Sequence, residues 1–148
     1  MKLNKNDILQ ACIAKQTELI DGFTAKLKAM EADTADNNLS SSQSVNRSTE
    51  KIELTNAIGK ELDFAKREME FLKNGSTTTE FKTVKPGAVV VTDLITFYIC
   101  VSIENFEVAG KQLFGMSTKA PLYLAMQGMK KGDTFSYNEK SYKIQDLY

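Results

Sequence analysis

The 148-residue sequence predicts an α+β protein: an N-terminal antiparallel helical hairpin, a coiled coil, followed by a small antiparallel β-sheet domain with one short helix. Three observations carry that expectation. In the first half, apolar residues recur three and four positions apart. A polar stretch, Ser76-Thr77-Thr78-Thr79, then ends the pattern. Beyond it the chain is rich in Val, Ile, Thr, Phe and Tyr between turn-forming pairs. The expected division is a hairpin over residues 1–75, with its tip within 31–49, and a second domain over residues 76–148.

The first helix is read from Ile8, Cys12, Leu19, Phe23, Leu27 and Met30, which share a stripe that Ile13 and Ile20 widen. Asn4 is placed to cap it, and Asp7 puts an acid near the positive end of the helix dipole. The second helix is cleaner, because Thr55, Ile58, Leu62, Ala65, Met69 and Leu72 alternate three and four apart as a coiled-coil seam does. Asp63 and Arg67 are spaced to pair on its flank, and Asn74-Gly75 supplies a stop. Between the helices, residues 31–49 are polar, with Leu39 and Val45 their only large apolar residues, and read as a solvated connection with frayed helix ends. Either helix reaches about 35–40 Å at the helical rise. A domain of about 70 residues has a radius of gyration near 11 Å, so the hairpin is expected to protrude and offer its tip to a partner.

In the second half, residues 88–92, 96–102 and 135–144 read as strands, with turns at Pro86-Gly87, Ala109-Gly110 and Asn138-Glu139. Between Ala120 and Met129 the period lengthens to a helical turn or short helix, and Gly132-Asp133 is expected to turn tightly before the last hairpin.

Composition excludes several classes of function. Lys plus Arg equals Asp plus Glu at 19 each, so no global field draws the chain to nucleic acid or an anionic membrane. An acidic residue, Asp7, precedes any apolar core at the N-terminus, and the most apolar stretch, residues 94–103, is short and interrupted by Thr96 and Ser102. Neither a secretory leader nor a membrane span is expected, and the reading is cytoplasmic and without membrane contact. Cys12 and Cys100 sit among apolar neighbours and are expected as buried thiols rather than a disulfide. With no histidine, imidazole base chemistry is absent, and two cysteines make no zinc site. The serines at 40–42 have no histidine to activate them. Gly110, Gly115, Gly128 and Gly132 follow no phosphate-loop spacing and read as turns, and Lys130-Lys131 reads as a small basic spot on one. No intrinsic catalysis, no catalytic residue, no metal site and no cofactor of its own are expected.

Pro121, Leu122, Ala125, Gly128, Lys130, Lys131, Gly132 and Asp133 follow the spacing P-L-x-x-A-x-x-G-x-K-K-G-D, with a strand-like tail after them and the helical hairpin before. This resembles the Gre family of bacterial transcript-cleavage and elongation factors. The resemblance spans nearly the whole chain but is specific in its last third. It implies an FKBP-like fold for residues 76–148 and docking of that domain on the rim of the RNA polymerase secondary channel. Pro121, Leu122, Lys130, Lys131 and Asp133 are the polymerase-binding candidates, although Gly128 and Gly132 have a backbone reading and Leu122 a core reading as well. Where the family usually has serine before the proline, this chain has Ala120.

Cleavage-competent members of that family carry two acids in a G-D-x-x-E-N turn at the coil tip. Those acids help the polymerase hold a second magnesium ion and orient the attacking water. This chain lacks the turn and places the serine-rich residues 39–44 there, with Glu31, Asp33 and Asp36 nearby. Asp33 and Asp36 are the candidates to assist a metal at the tip, sharing magnesium with the polymerase. The implied protein is a monomeric regulator that binds RNA polymerase and meets nucleic acid only through the transcription complex. Transcript cleavage is not expected. Two other classes stand beside it: a peptidyl-prolyl isomerase, for which Phe97, Tyr98, Phe106, Phe114, Tyr123 and Phe135 offer either a pocket or a core, and a coiled-coil adaptor.

Overall fold

Asn4 opens the first helix, α1 (Lys5–Asp36), as its sequence position predicts: its Oδ1 accepts from the backbone N–H of Asn6 at 2.8 Å and of Asp7 at 3.4 Å. The second helix, α2 (Ser41–Lys73), ends where Asn74-Gly75 leaves the helical ladder, Gly75 N–H donating to the Leu72 carbonyl at 3.1 Å. These coordinates come from a computed structural model that describes residues 2–36, 41–75 and 77–148, with the side chains of 33–36 and 41–48 outside the description. Helix continues well into the 31–49 stretch expected as a connection. Residues 31–36 and 41–49 contain neither Pro nor Gly, and Ala32 and Ala35 favour helix.

Contacts divide the chain into two compact units, residues 16–69 and residues Met1–Lys15 with Glu70–Tyr148. In the helical unit the α2 seam is the predicted one, with Leu62, Ala65 and Met69 buried and Thr55 and Ile58 half-buried. The α1 seam differs. Leu19 is 44% exposed, whereas Gln16 is 2% exposed and donates through Nε2 to the Ala65 carbonyl at 2.9 Å and to Glu68 Oε1 at 3.4 Å. Leu19 lies about 60° around the helix from Gln16, while Phe23 and Leu27 lie within about 20° of it, so the seam runs through the polar residue and leaves the leucine on its flank. Arg67, expected opposite Asp63, lies with its guanidinium carbon 6.0 Å from the centre of the Phe64 ring.

The sheet unit has six strands: β1 (Val89–Thr92), β2 (Thr96–Cys100), β3 (Ile103–Val108), β4 (Lys111–Ser117), β5 (Thr134–Tyr137) and β6 (Lys140–Leu147), with α3 (Pro121–Met126) between β4 and β5. Their order is β3-β4-β2-β1-β6-β5. This is the expected α+β, FKBP-like arrangement with one added feature: β2 and β4 pair in parallel, Phe97 opposite Phe114, because β4 returns between β2 and β3. Gly115 is not in a turn as expected. It lies within β4, where an added Cβ would come 2.7 Å from the Val101 carbonyl oxygen, so the close approach of the chain explains the glycine.

Strand alternation sends side chains to two cores. Tyr98, Cys100, Phe106 and Leu113 pack on one face together with Ile8, Leu9 and Cys12 of α1 and Leu72 of α2. Phe97, Ile99, Tyr142 and Ile144 pack on the other face with Tyr123 and Met126 of α3. Cys12 and Cys100 are free, buried thiols, and contact with the Cys100 thiol together with burial pushes the Cys12 thiol far above its ordinary range. Lys5 was not singled out by the sequence. It is 7% exposed, donates through Nζ to the carbonyls of Thr79 at 2.7 Å and Gly87 at 3.3 Å, and stands 4.5 Å from the centre of the Phe81 ring. Burial holds its pKa down at about 8, with the nearby Glu80 opposing that shift and Lys2 adding to it.

Candidate docking surface

The segment from Ala120 to Asp133 begins with extended backbone at Ala120 (φ −68°, ψ 137°), which Pro121 requires of the residue before it and which suits Pro121 to the first position of α3. Tyr123 and Met126 are buried in the core beneath, while Leu122 and Ala125 are half-buried against it. The outward residues are Pro121 and Leu124, the latter 62% exposed. Leu124 occupies an unspecified position of the P-L-x-x-A spacing, so the motif gave no reason to choose it. Exposure of a leucine on a six-residue helix is the signal, and it is visible only once the helix is docked.

After α3 the chain pairs back on residues 83–84: Gly128 N–H donates to the Val84 carbonyl at 3.0 Å, Val84 N–H donates to the Met129 carbonyl at 2.9 Å, and Thr83 bridges Lys130. Residues 130–133 then form the predicted tight turn. Asp133 N–H donates to the Lys130 carbonyl at 3.0 Å, and Asp133 Oδ2 accepts from Lys130 N–H at 2.9 Å. Gly132 holds this turn at a φ of +94°, and Gly128 the preceding one at +78°, backbone that disfavours any residue with a Cβ.

The structure therefore separates the motif by what each residue touches. Gly128, Gly132 and Asp133 fix the backbone, and Leu122 and Ala125 seat the helix. Pro121, Leu124, Lys130 and Lys131 face solvent. Lys131 Nζ stands 3.7 Å from Asp146 Oδ1, a mostly exposed pair worth little to stability, and shares a polar pocket with Lys111 and Gln145.

Of the six aromatics considered for an isomerase pocket, Phe97, Tyr98, Phe106, Tyr123 and Phe135 are all buried in the two cores, and Phe114 is at the surface. The stacking of Phe135 on Tyr142, with centroids 5.1 Å apart, fills space rather than lining it.

At the tip, Asp33 and Asp36 belong to the last turn of α1 and their side chains lie outside the described residues. So do residues 37–40 and the side chains of Ser41, Ser42 and Ser44. Among the described residues no cluster of three or more His, Cys, Asp or Glu side chains offers a metal site, and no helix is long and apolar enough to cross a membrane.

The sequence matches no protein-family profile and no curated protein. Among solved structures, the chain is similar to the GreA factor homolog 1 (Gfh1) protein of Thermus thermophilus, at 13% identity and a TM-score of 0.35 over 95% of this chain and 92% of that one. It is also similar to a structure described as the transcription factor Gfh1, at 12% identity and a TM-score of 0.37 over 100% of this chain and 95% of that one.

Proposed function

We propose that this protein regulates transcription by binding RNA polymerase at its secondary channel, with the α3 surface as the anchor and the helical hairpin as the element that enters. The observation that supports this reading most is the division of labour within residues 120–133. The glycines and Asp133 hold a fixed turn, and on that frame Pro121, Leu124, Lys130 and Lys131 are presented outward without contributing to the core. Outward presentation of an apolar pair and two cations from one segment suits an acidic-rimmed protein surface.

In this reading the chain works as an accessory factor, with any catalysis at the polymerase's own magnesium centre. Serine hydroxyls are poor magnesium ligands compared with carboxylates, so a chain whose sequence between the two helical stripes carries serines at 40–42 and 44 in place of the acidic turn binds without promoting transcript cleavage. Asp33 and Asp36 are the residues that would reverse this.

The test is retention of the pure 148-residue chain by core polymerase, followed by cleavage assays on backtracked complexes. Binding is expected, with little added cleavage. Leu124→Asp and Lys130→Glu should weaken binding at least severalfold while leaving the circular dichroism unchanged. Unaltered binding of both variants removes the anchor assignment. Failure of the unmodified chain to bind, with retention of other partners from the same extract, leaves a coiled-coil adaptor in its place. Strong cleavage abolished by Asp33→Ala or Asp36→Ala would show that the tip is acidic in function after all.

A further inference from the structure

The helical unit shows apolar side chains on one broad side that its own seam does not cover. In α1 the residues just before Ile20, Phe23, Leu27 and Met30, which are half-buried, are Leu19, Gly22, Lys26 and Ala29, and all four are exposed. In α2 the residues just before Thr55, Ile58, Leu62 and Ala65 are Leu54, Ala57, Glu61 and Phe64, also exposed. One step back along an α-helix is a rotation of about 100°, and in an antiparallel pair that rotation leads to the same side of both helices. Among the described residues of 16–69 four large apolar side chains are exposed, and three of them, Leu19, Leu54 and Phe64, share this side. One step after the seam, the reverse side presents Asp21, Lys28, Asp63 and Lys66.

Charge says what fits. Of the eight residues the one cation, Lys26, lies on α1 and the one anion, Glu61, on α2, and among the described residues neither makes an ion pair in its own chain. Glu68, next on the α2 stripe, is half-buried and engaged by Gln16. Two copies can meet through this side about a two-fold axis that runs across the hairpin or along it. An axis across it lays α1 on α1 and α2 on α2, which gathers lysines at one edge and glutamates at the other. An axis along it lays α1 of each copy on α2 of the other, so that every contact joins a basic stripe to an acidic one. The bond from Gln16 to the Ala65 carbonyl sets the relative level of the helices. By the helical rise, Leu19 then lies within about 3 Å of the level of Phe64, and Ala29 within about 3 Å of that of Leu54. Lys26 and Glu61 differ by about 9 Å in level, but side chains lean toward the N-terminus of their helix, which in an antiparallel pair tilts these two toward each other.

We propose that the helical hairpin pairs with a second copy of this chain through this side, in a two-fold dimer that sets Leu19 on the partner subunit's Phe64 and Lys26 against the partner subunit's Glu61. The two hairpins point the same way. With eight mostly small or medium residues from each copy, the contact falls below about 1,200 Å² in total, among the weak and reversible interfaces. It replaces the monomer that the family resemblance implies, and it does not use α3, so it stands whether or not polymerase binding does.

The experiment is sedimentation equilibrium of the full chain from low micromolar concentration to about 1 mM, chosen for an interface of that size. A reversible monomer–dimer equilibrium is expected. Phe64→Ala should weaken it severalfold with unchanged helical circular dichroism. Lys26→Glu and Glu61→Lys, each alone, set like charges against each other twice per dimer and should weaken it roughly tenfold. An equimolar mixture of those two variants restores opposite charges at both contacts only across copies, so the mixture should associate about as well as the unmodified chain. A chain that stays monomeric throughout overturns the proposal, and so does a dimer indifferent to Phe64→Ala. Single charge variants that associate normally, or a mixture no better than either variant alone, overturn it as well. A monomer whose Phe64 side is instead protected by a different protein would assign the face to that partner and likewise end the proposal.

Discussion

The helical unit and the sheet unit hold themselves together differently. Among the described residues of 16–69 the well-buried side chains are Gln16, Leu62, Ala65 and Met69, one of which is polar, whereas the sheet unit packs apolar side chains on both faces of its strands. A paired helix can bury only the stripe that faces its partner, while a sheet between two layers buries alternate residues in two directions. Each group in the thin seam therefore matters through its specific partner, and each group in the sheet matters through its volume. All five tyrosines lie between residues 98 and 148, so tyrosine emission reports the sheet unit, and the helical circular dichroism is dominated by α1 and α2.

The largest effect is expected from removing volume where the sheet is closed on all sides. Ile144 is fully buried, and Ile144→Ala should cost about 2–5 kcal/mol, read as a shift in the urea midpoint of tyrosine emission. A loss under about 1 kcal/mol would mean that this core relaxes far more than packed interiors do.

The next effect is a slope with pH. Lys5 has a folded pKa of about 8 against an ordinary value of 10.5, so below about pH 8 it is charged in both states and its burial is a standing penalty. Between those two values the unfolded chain holds more protons than the folded one, and stability rises with pH. Tyr98 and Cys12 act oppositely, because their raised folded pKa values make stability fall once the unfolded chain ionises. The Lys5 contribution is therefore read as a difference. The melting temperature of the unmodified chain should climb relative to that of Lys5→Met from pH 8 to 10.5. Parallel curves would show that the ammonium is not desolvated.

Gln16→Ala should cost about 1–3 kcal/mol, the price of deleting a buried side chain and its hydrogen bond to Ala65. It should shift the helical transition more than the tyrosine one. Leu19→Ala, one turn away and exposed, is expected to stay within about 0.5 kcal/mol. If the two substitutions cost the same, the seam runs where the apolar period alone would put it.

The smallest effect concerns the turn between β5 and β6. Glu139 adopts a φ of +64° beside Asn138 at +49°, a pair of left-handed residues for which Asn-Gly is preferred. Glu139→Gly should raise stability by a few tenths to about 1 kcal/mol, visible as a small rise in melting temperature.

Much of this fold was legible because its rules are local. Asn4 capped the helix it was expected to cap, the α2 stripe from Ile58 to Leu72 faced inward, and the turns at Pro86-Gly87, Ala109-Gly110 and Gly132-Asp133 formed where their residues predicted. Each follows from a side chain or backbone preference acting within four residues. Tertiary structure alone decided that Gln16 rather than Leu19 joins the seam, because its partner carbonyl is 49 positions away, and that Lys5 is buried, because its acceptors come from Thr79 and Gly87. The parallel pairing of β2 with β4 and the approach of Val101 to Gly115 are likewise choices of register between distant segments. The motif from Pro121 to Asp133 shows both sides. Its glycines and proline announced a turn and a helix start from sequence alone, but which residues hold the backbone and which face outward emerged only when α3 was seated on the core, where Tyr123 and Met126 take the buried face and leave Leu124 in solvent.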